Sequence, residues 1–424
     1  MATPSTPSTI SSRIAASAHT PTVPAKPQTG ELFERSPLAQ NPQLQQRLAL
    51  NYRRNHAQDH TAKLAAAAQA FDYNDWREVY WQAPELSLLY GTPVWDQASP
   101  SQRLALNHLY WVAYYAQIIA AEIATIYFNQ VSATGLYALE GCRDVCTMLD
   151  LESTQERAHI SAFRTVGEQV EQALFGRAQF LYPMRSPFSE TMIFADATPF
   201  QRRWKQLQLK AFGLIAADNA FLACQYFTVR GLRTLNGKLI QHQLSQFAQS
   251  FESVDAAPIP SRISHYHFMD ESFHFNSSTL LSHGMMTCLP QPTTWEAWVA
   301  NRGIQGCQQD HAQFSVAING IFWHDPALYG VIYAILRSPV FGLDAPETLA
   351  LMQACFTTET AGLHRSYVTH QEALAAYRVY LEPIHYAWGS NREMVLMAKS
   401  SSIARYLGQN RRSWRRFQVQ AQAC

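Results

Sequence analysis

Charge is scarce in this 424-residue sequence. Asp, Glu, Lys and Arg together make up 15%, where soluble proteins carry about a quarter. The two signs nearly cancel, 33 basic against 32 acidic side chains, for a net +1. A nucleic-acid partner held by bulk charge is therefore excluded. Cysteine is sparse too, with seven residues and no Cys-x-x-Cys pair; only Cys142 and Cys146 lie close. That argues against a disulfide framework or a thiolate zinc site, and for small buried thiols in a reducing cytoplasm. Strand-like alternation and Gly-rich phosphate loops are missing, which leaves an all-α fold. The most apolar stretch, Val112 to Phe128, is interrupted by Gln117 and Glu122, so no membrane span is expected. The N-terminus lacks the charged and apolar segments of a secretory signal. Residues 1–40, rich in Ser, Thr, Pro and Ala, are expected to form a disordered tail.

What is abundant is apolar and aromatic surface, 47% and 12% of residues. So much of it implies wide buried faces, a greasy cavity or a subunit interface, and a homodimer is one expectation. Helices are predicted from Pro42 onward, then from Ser99-Pro100-Ser101 to about Gln130, where Pro sits in a first turn. Further helices are expected over about 138–148, 153–175 and 200–235, with loops at 180–200 and toward the end of 236–260. A fifth starts near Ser261. Residues 41–424 read as one helical domain, a bundle over about 100–285 with additional helices over 286–424.

The chemistry concentrates in "SHYHFMDESFHF", Ser264 to Phe275. His267, Glu271 and His274 stand at i, i+4 and i+7, so one helical stripe carries all three. His265 and Asp270 point elsewhere, though Asp270 could orient a ligand from behind. A second Glu-x-x-His, Glu156 and His159, falls in "QERAH". Bundles that bind two metal ions between carboxylates combine two such motifs with one carboxylate from each of two other helices. Glu122 and Asp218 each interrupt an apolar helical run and meet that demand. An unpaired buried carboxylate costs on the order of several kcal/mol, so such residues need a cation, a donor or a proton. Mixed imidazole and carboxylate donors suit iron or manganese better than zinc. Tyr115 shares a heptad stripe with Glu122 and is a candidate neighbour of the cluster.

A Glu, a Glu-x-x-His, another carboxylate and a final His-x-x-x-Glu-x-x-His resembles the p-aminobenzoate N-oxygenase group of ferritin-like di-iron enzymes. His267 supplies the extra histidine that marks that group. The resemblance implies Glu122, Glu156, His159, Asp218, His267, Glu271 and His274 as ligands of two iron ions, with dioxygen as co-substrate. Asp218 departs from the family, which has Glu there. This departure and the "LNHLYWVAYYAQ" segment before Glu122 look more similar to the dimetal-carboxylate halogenases of natural-product pathways. That likeness implies chloride as a further co-substrate and halogenation or hydroxylation of an unactivated C–H bond. It also implies an aliphatic acyl substrate, free or on an acyl carrier protein, and an electron donor. An arylamine N-oxygenase is the alternative enzyme, and a non-catalytic ferritin-like iron-binding protein the alternative outside catalysis.

Overall fold

The computed structural model describes residues 37–137, 139–180, 199–311, 328–399 and 402–422. Residues 1–36 of the expected tail and 181–198 of the expected loop lie outside these. Every regular element among the described residues is helical. The longer helices are α1 (Pro42–Ala57), α2 (Thr61–Gln69), α3 (Pro100–Tyr137), α4 (Arg143–Phe175), α5 (Pro199–Ala216), α6 (Ala220–Gln249), α7 (Ile259–Thr279), α8 (Thr294–Asp310), α9 (Tyr329–Leu336), α10 (Ala345–Thr357), α11 (Ala361–Leu381) and α12 (Ile403–Gln422). Helices α3, α4, α6 and α7 pack as a four-helix bundle, with α1 and α2 laid across α4 and α7. Helices α8 and α11 cover α6, and α12 packs on α10.

The bundle follows from residue pattern. In 38 residues α3 has one carboxylate, Glu122, and two basic residues, Arg103 and His108. A helix this apolar on all sides belongs in a protein centre. By length and hydropathy it could cross a membrane, yet 67% of its most apolar stretch is buried in the protein. On α4 the buried stripe runs Met148, Glu152, Glu156, His159, Phe163, Val166, Val170. Polar residues thus occupy three turns of a heptad face that is otherwise apolar.

Three boundaries differ from the sequence expectation. The two helices expected over 138–175 are one, α4. Ser153 and Thr154 look like helix breakers, but their hydroxyls donate back to Leu149 and Asp150 carbonyls at 2.8 and 2.9 Å and stay inside the helix. The helix expected over 200–235 is broken at 217–219. Asn219 is extended there and its side chain accepts from Leu222 N at 3.0 Å, capping α6. Finally, α3 runs on to Tyr137, past its expected end near Gln130. The Gln/Ser-rich stretch after 236 is a helix tail to Gln249 before the expected loop, with Ile240, Leu244 and Ala248 buried at four-residue spacing.

Two glycines allow close approach. A Cβ on Gly135 of α3 would lie 3.0 Å from the Ala216 and Asn219 carbonyl oxygens, so the α5–α6 turn rests against this end of α3. On α6, a Cβ at Gly231 would overlap the Tyr380 hydroxyl. That hydroxyl is buried and lies 2.8 Å from Ser282 Oγ, so it has little freedom to retreat. Gly231→Ala is expected to destabilise the fold by about 1–3 kcal/mol through overpacking. Thermal unfolding of the variant checks this; a double variant with Tyr380→Phe should recover only part of the loss, because the ring carbon Cζ still lies 2.5 Å from the added Cβ.

Candidate metal centre

Six of the seven side chains expected as ligands meet inside the bundle. Glu122 comes from α3, Glu156 and His159 from α4, and His267, Glu271 and His274 from α7; all six are buried. They form two overlapping groups, Glu122–His159–His267–Glu271 and Glu156–Glu271–His274, each with donor atoms within 4.8 Å of one another. Glu271 belongs to both. His267 Nε2 lies 3.1 Å from Glu122 Oε1 and 3.7 Å from Glu271 Oε1. His159 Nδ1 lies 3.7, 3.5 and 4.0 Å from oxygens of Glu122, Glu156 and Glu271. His274 Nδ1 lies 2.9 Å from Glu271 and 3.3 Å from Glu156.

These separations fit metal ions. Donors about 2.0–2.2 Å from one cation stand roughly 3–4 Å from each other, the edge of a coordination polyhedron. Glu122 Oε2, Glu156 Oε2 and His159 Nδ1 are buried without a hydrogen bond. Three carboxylates converging with so few protein donors call for cations. The donor set, three carboxylates and three imidazoles, exceeds what one ion holds and could hold two.

The histidines are oriented from behind. His159 Nε2 lies 3.2 Å from Asp270 Oδ2. His274 Nε2 lies 3.0 Å from Gln155 Oε1, and Gln155 is locked against Asn55 by a pair of amide hydrogen bonds at 2.8 and 3.0 Å. Both imidazoles therefore turn Nδ1 inward, and the outer contact fixes their tautomer. Asp270 thus stands behind His159, within hydrogen-bond reach of its outer nitrogen. Tyr115 packs edge-on to His267, ring centroids 5.7 Å apart, and Phe163 does so at 5.0 Å.

Without cations, the cluster keeps protons. Burial and the Glu156 carboxylate push Glu122 up to about 8. Burial also works to raise Glu156, but His274 and His159 outweigh it and hold that carboxyl below the usual range. His159 and His274 are raised well above an ordinary histidine despite burial: Asp270, Glu122 and Glu156 act on the first, Glu271 and Glu156 on the second. His267 is the exception, taken down to about 4 by burial and by His159. A metal must displace the raised protons, so affinity is expected to increase with pH until those groups ionise unaided. Divalent-metal affinity should grow from about pH 6 to about pH 8, roughly tenfold per unit for each proton displaced. Calorimetry in buffers of different ionisation enthalpy measures both affinity and proton release.

Asp218 is not part of this cluster. It sits exposed in the turn between α5 and α6. That turn rests on Gly135, thirteen residues from Glu122 and so about 20 Å along α3. The apolar neighbours that made Asp218 look buried belong to two helices, with the aspartate at their junction. Asp218→Ala is expected to leave metal content unchanged, as elemental analysis would show.

What α6 contributes instead is a cation. Arg230 is buried and reaches Glu152 Oε2 at 2.8 Å, Asn129 Oδ1 at 2.9 Å, Ser278 Oγ at 2.8 Å, Ser277 Oγ at 2.6 Å and the His274 carbonyl at 2.9 Å. Glu152 lies one turn before Glu156, and this pair knits α3, α4, α6 and α7 together beside the centre. Sequence reasoning passed over Arg230, Glu152, Gln155 and Asn55. The available signal was Glu152, four residues before Glu156 on the same stripe.

A family model described as acyl halogenase, CylC-like, matches residues 43–418. No curated protein and no solved structure matches the chain.

Proposed function

We propose, because the chain belongs to the CylC-like acyl halogenase family, that it is a dioxygen-dependent enzyme with two iron ions. Its reaction replaces an unactivated C–H bond of an aliphatic acyl substrate by C–Cl. Glu122, His159 and His267 would hold one ion, Glu156 and His274 the other, with Glu271 available to both. When bound, the metal pair supplies dioxygen activation and the oxidising power needed against a C–H bond. The chain's own residues orient, enclose and balance charge. Asp270 and Gln155 fix the imidazoles, and Tyr115 and Phe163 keep water from the His267 side.

The observation that carries halogenation is the composition of α6. Its 30 residues contain no Asp or Glu, so this bundle helix cannot give a carboxylate. Only three candidate carboxylates can touch two divalent cations, and Asp270 offsets the fourth charge only from behind His159, so an added monoanion is favoured as a direct donor at the metal pair. Chloride meets that need and is the atom to be transferred. The acyl group, free or on a carrier protein, would be positioned by apolar contacts.

The test is product analysis with iron-loaded protein, dioxygen, chloride, a reductant and medium-chain acyl substrates as free acids and thioesters. A product with the chlorine isotope pattern, absent without chloride, is expected. A hydroxylated product regardless of chloride would replace halogenase by hydroxylase. Oxidation of an arylamine with untouched acyl substrates would establish the N-oxygenase reading instead. Iron that cycles with no organic product would point to an iron-binding protein.

A further inference from the structure

Exchange of C–H for C–Cl with dioxygen as oxidant consumes one chloride, one dioxygen, two electrons and three protons, and releases two waters. The two electrons must come from an external donor, and a metal pair held by these residues would be where they are used. All six candidate ligands are buried, so the route inward matters. Two hydrogen-bonded arms leave the imidazoles among the described residues. The arm through His274 and Gln155 ends on Asn55, which is fully buried. The other leads out. His159 Nε2 meets Asp270 Oδ2 at 3.2 Å, and Asp270 Oδ1 meets His60 Nδ1 at 3.1 Å. The His60 side chain is 16% exposed, while Asp270 and His159 are at 0%. Beside Asp270, the His60 ring stacks on Tyr266, centroids 5.8 Å apart, and Lys63 sits over the Tyr266 ring at 5.8 Å.

We propose that electrons enter the metal centre through the His60–Asp270–His159 arm, with His60 as the positioning residue at its outer end. This rests on the two-metal reading above. Electronic coupling falls steeply across empty gaps and less steeply across hydrogen-bonded contacts, and this arm replaces a through-space gap by two such contacts. His60 occupies the position before α2 without capping it, so its ring makes no contribution to the helix terminus. The His60 backbone N–H also donates to Asp270 Oδ1, at 3.2 Å. Asp270 therefore stays anchored when the ring alone is changed.

The experiment uses the full-length, metal-loaded protein. The oxidised centre is mixed in stopped flow with reduced methyl viologen, two viologen radicals each losing one electron per centre. His60→Phe removes the ring's bond to Asp270 and retains an aromatic face toward Tyr266; His60→Gln retains a donor. The first-order rate constant of centre reduction does not depend on the fraction of chains loaded. A drop of at least tenfold is expected in His60→Phe, with partial recovery in His60→Gln. A rate within twofold of wild type in His60→Phe would overturn the proposal. Normal wild-type reduction without any chlorinated product would sink the halogenation reading and leave the arm standing. Chlorination with an unchanged rate in His60→Phe would do the reverse.

Discussion

Glu271→Ala is expected to empty the metal centre while leaving the helices in place. Glu271 is the one side chain in both donor groups, and it stands 2.9 Å from His274 and 3.7 Å from His267. Removing it takes an anionic donor from each ion at once. Losing a partner that merely orients a ligand typically lowers metal affinity about 10–100-fold, so losing a shared ligand should exceed the upper figure. The fold should tolerate the change. In the metal-free protein His274 loses Glu271 as a partner but keeps Glu156, 3.3 Å away, so no buried charge is left alone. Elemental analysis after gel filtration, with circular dichroism as the control for folding, separates metal loss from unfolding.

The second large effect concerns stability. Arg230→Met is expected to cost roughly 3–5 kcal/mol, because it leaves the Glu152 carboxylate buried and without its cation. Arg230 also donates to Asn129, Ser277, Ser278 and the His274 carbonyl, so four acceptors lose a donor together. Burial opposes the charge on Arg230, but Glu152 outweighs it and the guanidinium's pKa is raised. The melting temperature should fall by about 3–6 °C for a change of this size in a chain of this length. Combining Arg230→Met with Glu152→Gln should recover much of the loss, since the stranded charge is gone. A double-mutant cycle with little coupling between the two positions would show that the pair holds nothing together.

How far the sequence could be read depended on how each residue announces itself. His267, Glu271 and His274 lie on one stripe, and Glu156 with His159 on another; helical periodicity alone brings each set to one face. Glu122 is the only acid in a 38-residue apolar helix, so its burial followed from its neighbours. Asp218 failed because composition does not reveal a helix break. Only the cap by Asn219 separates α5 from α6, and it moves the aspartate to the surface. The supports behind the imidazoles were less legible. Gln155 and Asn55 are 100 residues apart, and His60 and Asp270 are 210 apart. Neither pair has a spacing that sequence could recognise. Arg230 was obscured differently: arginine is ordinarily a surface residue, and only the packing of four helices around it shows that it is the bundle's internal cation.

The absence of acid in α6 came to light only with the Asn219 cap, which leaves Asp218 outside the helix. A bundle with a fourth carboxylate on α6 could supply four anionic donors directly to two divalent cations. Here the fourth buried carboxylate, Asp270, stands behind His159, which leaves room for an anion among the direct donors and is the physical reason for the chloride proposal.

The most direct test of the two-metal centre is a crystal of iron-loaded protein measured on both sides of the iron absorption edge. Two anomalous peaks are predicted inside the bundle, one bonded to Glu122, His159 and His267, the other to Glu156 and His274, with Glu271 touching both. A single peak, a peak at Asp218, or no peak within reach of these six side chains would contradict it.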